Sequence, residues 1–196
     1  DLSIEGGIPL GGELAVPADK SITHRALLLA SLADGRSRIT ATDVGADNLS
    51  TVSCLRALGV HIDQDSHGFT IDGLETFHAP MTPLDCGNSG TTMRMLSGLL
   101  AGSQVTASLI GDESLSRRPM GRVCQPLREL GANISGRRTQ GKEHAPLSIE
   151  PGQLTGGDVI LNISSAQVKS ALLLFGVTSG CPVSVLEPEL SRDHTE

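Results

Sequence analysis

The chain has 196 residues, of which 22 are acidic and 15 are basic, and its net charge at neutral pH is −7. It contains no Trp or Tyr and only three Phe. Proteins that bind nucleic acids usually carry basic surfaces and aromatic side chains that stack on bases. The composition therefore argues against a nucleic-acid partner.

The sequence also argues against a membrane or secreted protein. Its apolar runs are shorter than the roughly 18 residues that a membrane-spanning helix needs. Residues 1–5 lack the basic and apolar stretches of a signal peptide. The four cysteines are far apart and share no metal-ligand spacing with histidines, which argues against a structural metal and a disulfide framework. We therefore expect a cytoplasmic protein without a bound metal.

One pattern occurs three times along the chain: a small polar turn, a Lys or Arg, and then a strongly apolar run that ends at Gly. The three copies lie at residues 21–35, 89–102 and 165–180. Because each run is apolar on nearly all sides, each predicts a helix that is buried in the core.

Each predicted buried helix is followed by the same further elements. The next segment is rich in β-branched residues and predicts a strand, and the first two copies then contain an amphipathic helix and a strand-like segment. These elements are predicted at residues 39–42, 47–59, 69–71, 105–110, 119–131, 147–149 and 183–186. The two amphipathic helices end in the related sequences LRALG and LRELG, and Pro119 suits the first turn of the second helix.

The repeats predict an α/β fold of βαβαββ units in which the apolar helices pack together and the sheets lie outside. The units are predicted at about residues 14–80, 81–151 and 152–196. The third unit ends before its second helix, so we expect the sequence to be part of a longer chain.

The polar turns lie where the buried helices begin, and free backbone N–H groups at a helix start favour an anion. Hydroxyl and cationic side chains accompany the three starts: Ser21, Ser89, Ser165, Arg25, Arg94 and Lys169. Lys20 and the Arg117–Arg118 pair add further cations. Because equivalent helix starts would meet at one centre, the pattern predicts a shared site for phosphate or carboxylate groups.

Two other polar features are interpreted as structural. His24 is predicted to be a hydrogen-bonded packing residue, with a role as a general base as the alternative. The Asp112–Glu113 pair lacks the spacing of a catalytic carboxylate pair and is predicted to form a turn.

Five motifs, in order, resemble the signatures of the 5-enolpyruvylshikimate-3-phosphate synthase (EPSP synthase) family. They are PADKSITHR at residues 17–25, LDCGNSGTTMR at 84–94, GDESLSRRPM at 111–120, SAQVKS at 165–170 and SRDHTE at 191–196. The resemblance spans the whole chain, but family members are about twice as long.

This resemblance implies the enolpyruvyl transferase fold, in which two domains are each an inside-out α/β barrel of repeated βαβαββ units around buried helices. Substrates bind in the cleft between the domains. Residues 14–196 would form the N-terminal domain with an incomplete third unit, and residues 1–13 would be a strand segment of the missing second domain.

The resemblance also implies a reaction. The family transfers the enolpyruvyl group of phosphoenolpyruvate to the 5-hydroxyl of shikimate 3-phosphate and releases phosphate, in aromatic amino acid biosynthesis. It needs no metal or organic cofactor. Its acid–base residues would lie in the missing C-terminal domain, so no catalytic residue is assigned to this chain, which we expect to be inactive alone.

Site residues are carried over from the matching motif positions. The residues similar to the family's shikimate-3-phosphate ligands are Lys20, Ser21, Arg25, Ser165, Gln167 and Arg192. Those similar to its phosphoenolpyruvate ligands are Lys20, Asn88, Gly90, Arg118 and Gln167. The inhibitor glyphosate occupies the phosphoenolpyruvate site in this family, so we expect Gly90 to line the glyphosate pocket.

Three alternatives fit parts of the pattern. A UDP-N-acetylglucosamine enolpyruvyl transferase shares the fold, but usually has a reactive Cys before the Arg-Pro pair, and residues 111–118 contain none. An RNA 3′-phosphate cyclase shares the βαβαββ unit, but the acidic charge argues against RNA. A non-catalytic anion-binding module is the third alternative.

Overall fold

The computed structural model describes residues 16–191, 194 and 195, together with residues 3, 7 and 11–13. The expected strand segment at 1–13 falls largely on residues outside this described part. The helices and strands of the first repeat are α1 (Lys20–Leu32), β1 (Arg36–Thr40), α2 (Ala46–Ala57), β2 (His61–Asp65) and β3 (Gly68–Asp72).

The second repeat has the same order with two additional elements, a leading strand and a short helix, and the third has a leading strand, a helix and a strand. The second contains β4 (Leu84–Asp85), α3 (Gly90–Gly102), β5 (Ala107–Ile110), α4 (Glu113–Ser116), α5 (Gly121–Glu129), β6 (Asn133–Thr139) and β7 (Lys142–Glu150). The third contains β8 (Gly157–Ile160), α6 (Ala166–Ser179) and β9 (Val183–Leu186). The short helix α4 was predicted as a turn, and it forms because the Asp112 side chain accepts a hydrogen bond from Leu115 N at 2.7 Å.

The strands form three separate sheets, with strand orders β1-β3-β2, β4-β5-β7-β6 and β8-β9. The strand that follows the first helix of a repeat pairs antiparallel with the last strand of that repeat, as β1 does with β3 and β5 with β7. The pairs β4-β5 and β8-β9 are parallel. This recurring pairing confirms the α/β fold of repeated units.

The helices α1, α3 and α6 run in the same direction. Gly98 of α3 lies against Ala171 of α6, and one turn later Gly102 lies against Phe175, so the two helices are parallel. The C-terminal ends of the three helices lie around one cavity of about 640 Å³, which is lined by residues 73–77 together with Leu32 of α1, Ser103 directly after α3, and Val177 and Thr178 of α6. The three helix starts therefore lie at the opposite end of the domain.

Burial of these helices differs from the prediction in part. The helix α3 is buried along nearly its whole length, as expected. The helices α1 and α6 each expose part of one side, where Ile22 is 53% and Val177 is 64% accessible. Within the described part of the chain, other elements surround α3 but leave one face of α1 and of α6 open to solvent. None of the described helices is long and apolar enough to cross a membrane.

The position of Pro119 is a second difference. The helix α5 begins at Gly121, so Pro119 precedes it instead of forming its first turn. The backbone of Met120 donates a hydrogen bond to the Glu143 carbonyl of β7 at 2.7 Å. This bond holds the turn before α5 against the second sheet.

We expect Gly98→Ala to destabilise the fold, because a Cβ at this position would overlap the carbonyl of Ala171. Overpacking of a close contact typically costs about 1–3 kcal/mol in the free energy of unfolding. The measurement is urea unfolding followed by far-UV circular dichroism, since the chain lacks Trp and Tyr.

Gly121→Ala is the matched control, because a Cβ there would meet only Glu143 Cβ at 3.9 Å. Alanine also has the higher helix propensity, so this change should be neutral or slightly stabilising. Equal unfolding free energies for the two variants would contradict the close packing of α3 on α6.

Candidate anion-binding site

The three helix starts do not all have the same type of N-cap. The side chains of Asp19, Ser89 and Ser165 cap α1, α3 and α6. Ser21 therefore lies in the first turn of α1 and is not its cap. Because the Asp19 carboxylate already offsets the positive end of α1, the starts of α3 and α6 are the more favourable positions for an anion.

Arg25 connects the start of α1 to the start of α6. This side chain is only 4% exposed. Its guanidinium donates hydrogen bonds to the Ser170 hydroxyl at 2.7 Å and to the Ala166 carbonyl at 3.2 Å. Its Nε donates to Thr195 Oγ1 at 2.8 Å. Arg25 therefore holds the segment containing Ser165 and Gln167 beside α1.

A row of buried polar side chains connects α1 and α2 to α3. His24 Nδ1 lies 2.8 Å from Thr51 Oγ1, and Thr51 Oγ1 lies 2.7 Å from Thr92 Oγ1. Thr92 donates to the Ser89 hydroxyl at 2.7 Å. Burial lowers the pKa of His24 to about 4. The imidazole is therefore neutral near pH 7, as expected of a packing residue.

Arg94 and Gln167 connect α3 to α6. Arg94 Nη1 donates to Gln167 Oε1 at 2.8 Å and to the Gly90 carbonyl at 3.1 Å. Gln167 Nε2 in turn donates to Thr91 Oγ1 at 2.8 Å. These bonds fix the orientation of the Gln167 amide across the two helix starts.

Three arginines concentrate positive charge at this place. Burial lowers the pKa of Arg94, and the nearby charges of Arg118 and Arg122 lower it further. A cleft of about 270 Å³ is lined by Arg94, Pro119, Arg122, Ser165, Gln167 and Val168, with no carboxylate among them. Mutual repulsion of these guanidinium groups is relieved when an anion enters the cleft.

Gly90 lies at the edge of this cluster. A Cβ at Gly90 would point toward the guanidinium groups, 2.7 Å from Arg94 Nη1 and 3.2 Å from Arg118 Nη1. Arg118 donates to Asn88 Oδ1 at 2.7 Å, and Asn88 donates to Asp112 at 2.7 Å. The glycine therefore keeps the space between the helix start and the two arginines open.

The structure brings most predicted site residues together. Asn88, Gly90, Arg118, Ser165 and Gln167 lie around the arginine cluster, as described above. Lys20 lies at the start of α1, where its Nζ is 3.1 Å from Asp47. Arg192 lies outside the described residues, so its position is not assigned.

Lys169 has a different environment from the one predicted. Its Nζ lies 3.2 Å from the buried Glu187 carboxylate, so this cation is engaged within the third repeat.

Sequence reasoning missed Arg122 as a site residue and used Arg94 only as a general cation. The signal for Arg122 was its spacing of four residues from Arg118. This spacing indicates that Arg118 and Arg122 lie at the same site only when the turn after α4 and the start of α5 are known.

No group of three or more His, Cys, Asp or Glu side chains suited to a metal ion occurs among the residues that the structure describes.

The fold and this cleft define an α/β domain of repeated units that presents an anion-binding surface at its helix starts. The family model for EPSP synthase (3-phosphoshikimate 1-carboxyvinyltransferase) matches residues 4–196. The chain therefore belongs to the EPSP synthase family.

Individual relatives agree with this assignment. The chain is 50% identical over 189 residues to the 3-phosphoshikimate 1-carboxyvinyltransferase of Geobacillus kaustophilus, covering 95% of this chain and 44% of that protein. It is 47% identical over 197 residues to the enzyme of the same name from Pelobacter propionicus, covering 100% of this chain and 45% of that protein. A solved EPSP synthase from Acinetobacter baumannii superposes with a TM-score of 0.87 at 40% identity, covering 94% of this chain and 42% of that one. The chain thus spans less than half the length of these relatives.

We expect His24 to make folding stability depend on pH. An unfolded histidine has a pKa of about 6.5, so between pH 7 and pH 5 the unfolded chain gains a proton that the folded chain does not. The folded state should lose about 2 kcal/mol of stability from this group over that interval. His24→Asn keeps a side chain that can bond Thr51 but does not titrate, so it should lack this loss.

The measurement is the difference in unfolding free energy between pH 7 and pH 5, for the parent and for His24→Asn. His67→Asn, at an exposed histidine, controls for the loss of a histidine. If His24→Asn and the parent lose the same stability, the buried environment of His24 is not the cause.

Proposed function

We propose that this chain provides the shikimate-3-phosphate-binding part of a 3-phosphoshikimate 1-carboxyvinyltransferase, with phosphoenolpyruvate as the second substrate. The whole reaction forms a bond between the 5-oxygen of shikimate 3-phosphate and the enolpyruvyl carbon, and breaks the bond from that carbon to phosphate. The proton of the 5-hydroxyl is released, and inorganic phosphate is the leaving group. This proposal is supported by the family membership and by the names of the relatives.

The observation that carries the proposal is the carboxylate-free cleft between the starts of α3 and α6. Both proposed substrates carry a phosphate and a carboxylate, so they repel each other in solution. Guanidinium groups and helix starts offset that repulsion and hold the two anions together. Such a site accelerates the reaction by positioning and by stabilising the phosphate as it leaves.

The proposed shikimate-3-phosphate ligands are Lys20, Ser21, Arg25, Ser165, Gln167 and Arg192. Ser165 and Gln167 are supported by their place in the cleft. Arg25 already donates to α6, and Thr195 occupies its Nε. Direct contact of Arg25 Nε with the ligand would therefore require Thr195 to move aside.

The proposed phosphoenolpyruvate ligands are Lys20, Asn88, Gly90, Arg118 and Gln167. Arg118 is oriented by Asn88, which leaves further guanidinium donors for an incoming phosphate or carboxylate. Gly90 would let that anion approach the backbone at the start of α3. We assign Arg94 to orienting Gln167 through the bond to Oε1.

The remaining parts of the proposal concern the rest of the protein. The acid–base residues would be supplied by a C-terminal domain, which would also close the cleft over the substrates. Glyphosate would compete with phosphoenolpyruvate beside Gly90. We further propose that the protein acts in the cytoplasm, where both substrates are metabolites.

We expect the 196-residue chain alone to bind shikimate 3-phosphate, and Lys20→Gln to weaken that binding about tenfold by removing a charge-assisted contact. Isothermal titration calorimetry measures both. Arg38→Gln is the control, because Arg38 is also an exposed cation paired with a carboxylate, Asp65, but lies on the first sheet.

The same titration separates the alternatives, since UDP-N-acetylglucosamine and a short RNA should not bind. With phosphoenolpyruvate added, the chain alone should release no phosphate, because the acid–base residues are assigned to the other domain. Equal effects of Lys20→Gln and Arg38→Gln, or no binding by the parent chain, would contradict the proposed site.

In the full-length enzyme we expect Gly90→Ala to weaken inhibition by glyphosate much more than the use of phosphoenolpyruvate. The added methyl group would approach Arg94 and Arg118 and narrow the pocket, and glyphosate is longer than phosphoenolpyruvate. Steady-state kinetics give the inhibition constant and the KM for phosphoenolpyruvate of parent and variant. An equal loss for both ligands would show that Gly90 does not line that pocket.

A further inference from the structure

A second basic cleft lies on the outer side of the turn that carries Arg118. Its volume is about 370 Å³, and it is lined by Ser116, Arg117, Pro119, Arg137, Thr139, Gln140, Lys142 and His144. Pro119 borders both this cleft and the candidate anion-binding site. We call it the hairpin cleft, because four of its lining residues belong to the paired strands β6 and β7.

The strand register brings these four residues to one face. Arg137 pairs with His144 across the hairpin, and Thr139 pairs with Lys142. Because alternate residues of a strand share a face, all four point the same way. Arg138 and Glu143 form the pair between them and point to the other face, where Glu143 binds Arg128 at 2.9 Å.

Two of the three cations that line the hairpin cleft, Arg137 and Lys142, lack the carboxylate partners that other arginines of the chain have. In the first repeat Arg36 binds Asp72 at 2.6 Å and Arg38 binds Asp65 at 2.8 Å. Among the described residues, the side chains of Arg137 and Lys142 have no hydrogen bond and no ion pair, although their backbones take part in the β6–β7 pairing. The cleft lining contains no carboxylate, although the chain has an excess of acidic residues.

His144 provides an independent observation. Its Nδ1 is buried and has no hydrogen-bond partner among the described residues. A buried polar atom without a partner is unfavourable, and most such atoms in proteins are satisfied. The unpaired nitrogen belongs to a side chain that lines the same cleft as Arg137 and Lys142.

We propose that the hairpin cleft binds a small multivalent anion of the phosphate class, separately from the candidate anion-binding site. Arg137, Lys142 and Arg117 supply the positive charge, and the Thr139 hydroxyl supplies a further donor. In the described part of the chain the side chain of Arg117 has one partner, Glu113, in an exposed ion pair, so it can turn toward a ligand at little cost. The cleft volume exceeds that of one phosphate and suits a phosphate ester or a diphosphate.

The test uses inorganic pyrophosphate as the probe and the 196-residue chain with Arg118→Gln and Arg122→Gln, which weakens the candidate anion-binding site. Two-dimensional NMR of the histidine imidazoles follows the titration. Pyrophosphate should still bind and should shift the His144 signals. Adding Arg137→Gln and Lys142→Gln should weaken this binding about tenfold or more, as loss of charge-assisted contacts predicts.

Arg137→Gln alone has a matched control in Arg138→Gln, which removes the same single charge from the opposite face of the same strand and should change the affinity less than about twofold. Far-UV circular dichroism verifies the fold, and Lys142→Gln alone replaces the double change if that variant unfolds. Equal weakening by Arg138→Gln would overturn the proposal, as it would show only a general effect of charge. Unchanged His144 signals in the Arg118→Gln, Arg122→Gln chain would also overturn it.

Discussion

The parallel packing of α3 on α6 is the constraint on which the rest of the structure depends. Helices packed side by side are electrostatically more favourable when antiparallel, because their dipoles then oppose each other. Here Gly98 and Gly102 let the two backbones pack in close contact although both helices begin at the same end. The hydrophobic contact of α3 with its surroundings stabilises this arrangement. The positive ends of two helices are thereby held together, which is unfavourable in the empty protein and favourable when an anion is bound.

Polar side chains at the helix starts turn this general property into a defined site. Arg25 ties α1 to α6, the row from His24 to Ser89 ties α1 to α3, and Arg94 with Gln167 ties α3 to α6. Each connection is buried or partly buried, so its geometry is restricted by packing as well as by hydrogen bonds. Two guanidinium groups of the arginine cluster are therefore held in place, Arg94 by Gln167 and the Gly90 carbonyl and Arg118 by Asn88, so an entering anion would need little reorganisation of these two side chains.

The sequence predicted the parts of this arrangement that depend on repetition. The recurring apolar runs predicted the buried helices, and the LRALG and LRELG endings predicted α2 and α5 within a few residues. It could not predict features that depend on contacts between distant segments. The turn before α5 is bonded to β7, which lies more than 20 residues later, and the engagement of Lys169 depends on Glu187 after the next strand. Asp19 and Ser21 are both acceptable N-caps, so the choice between them is made by the backbone conformation at Asp19.

The differences between the repeats explain why the site is not symmetric. Apart from β4 and α4, the first two repeats share the order of helices and strands. The first places Asp47 in the first turn of α2, where it binds Lys20. The second places Arg122 in the first turn of α5, where it faces the cleft instead. The N-caps differ in charge in the same way: α1 has a negatively charged carboxylate, whereas α3 and α6 have neutral hydroxyls. The second repeat thus contributes most of the unpaired positive charge, and the third contributes Ser165 and Gln167 as neutral donors. A repeated scaffold that supplies parallel helix starts can therefore distinguish two anions only through residues that the repeats do not share.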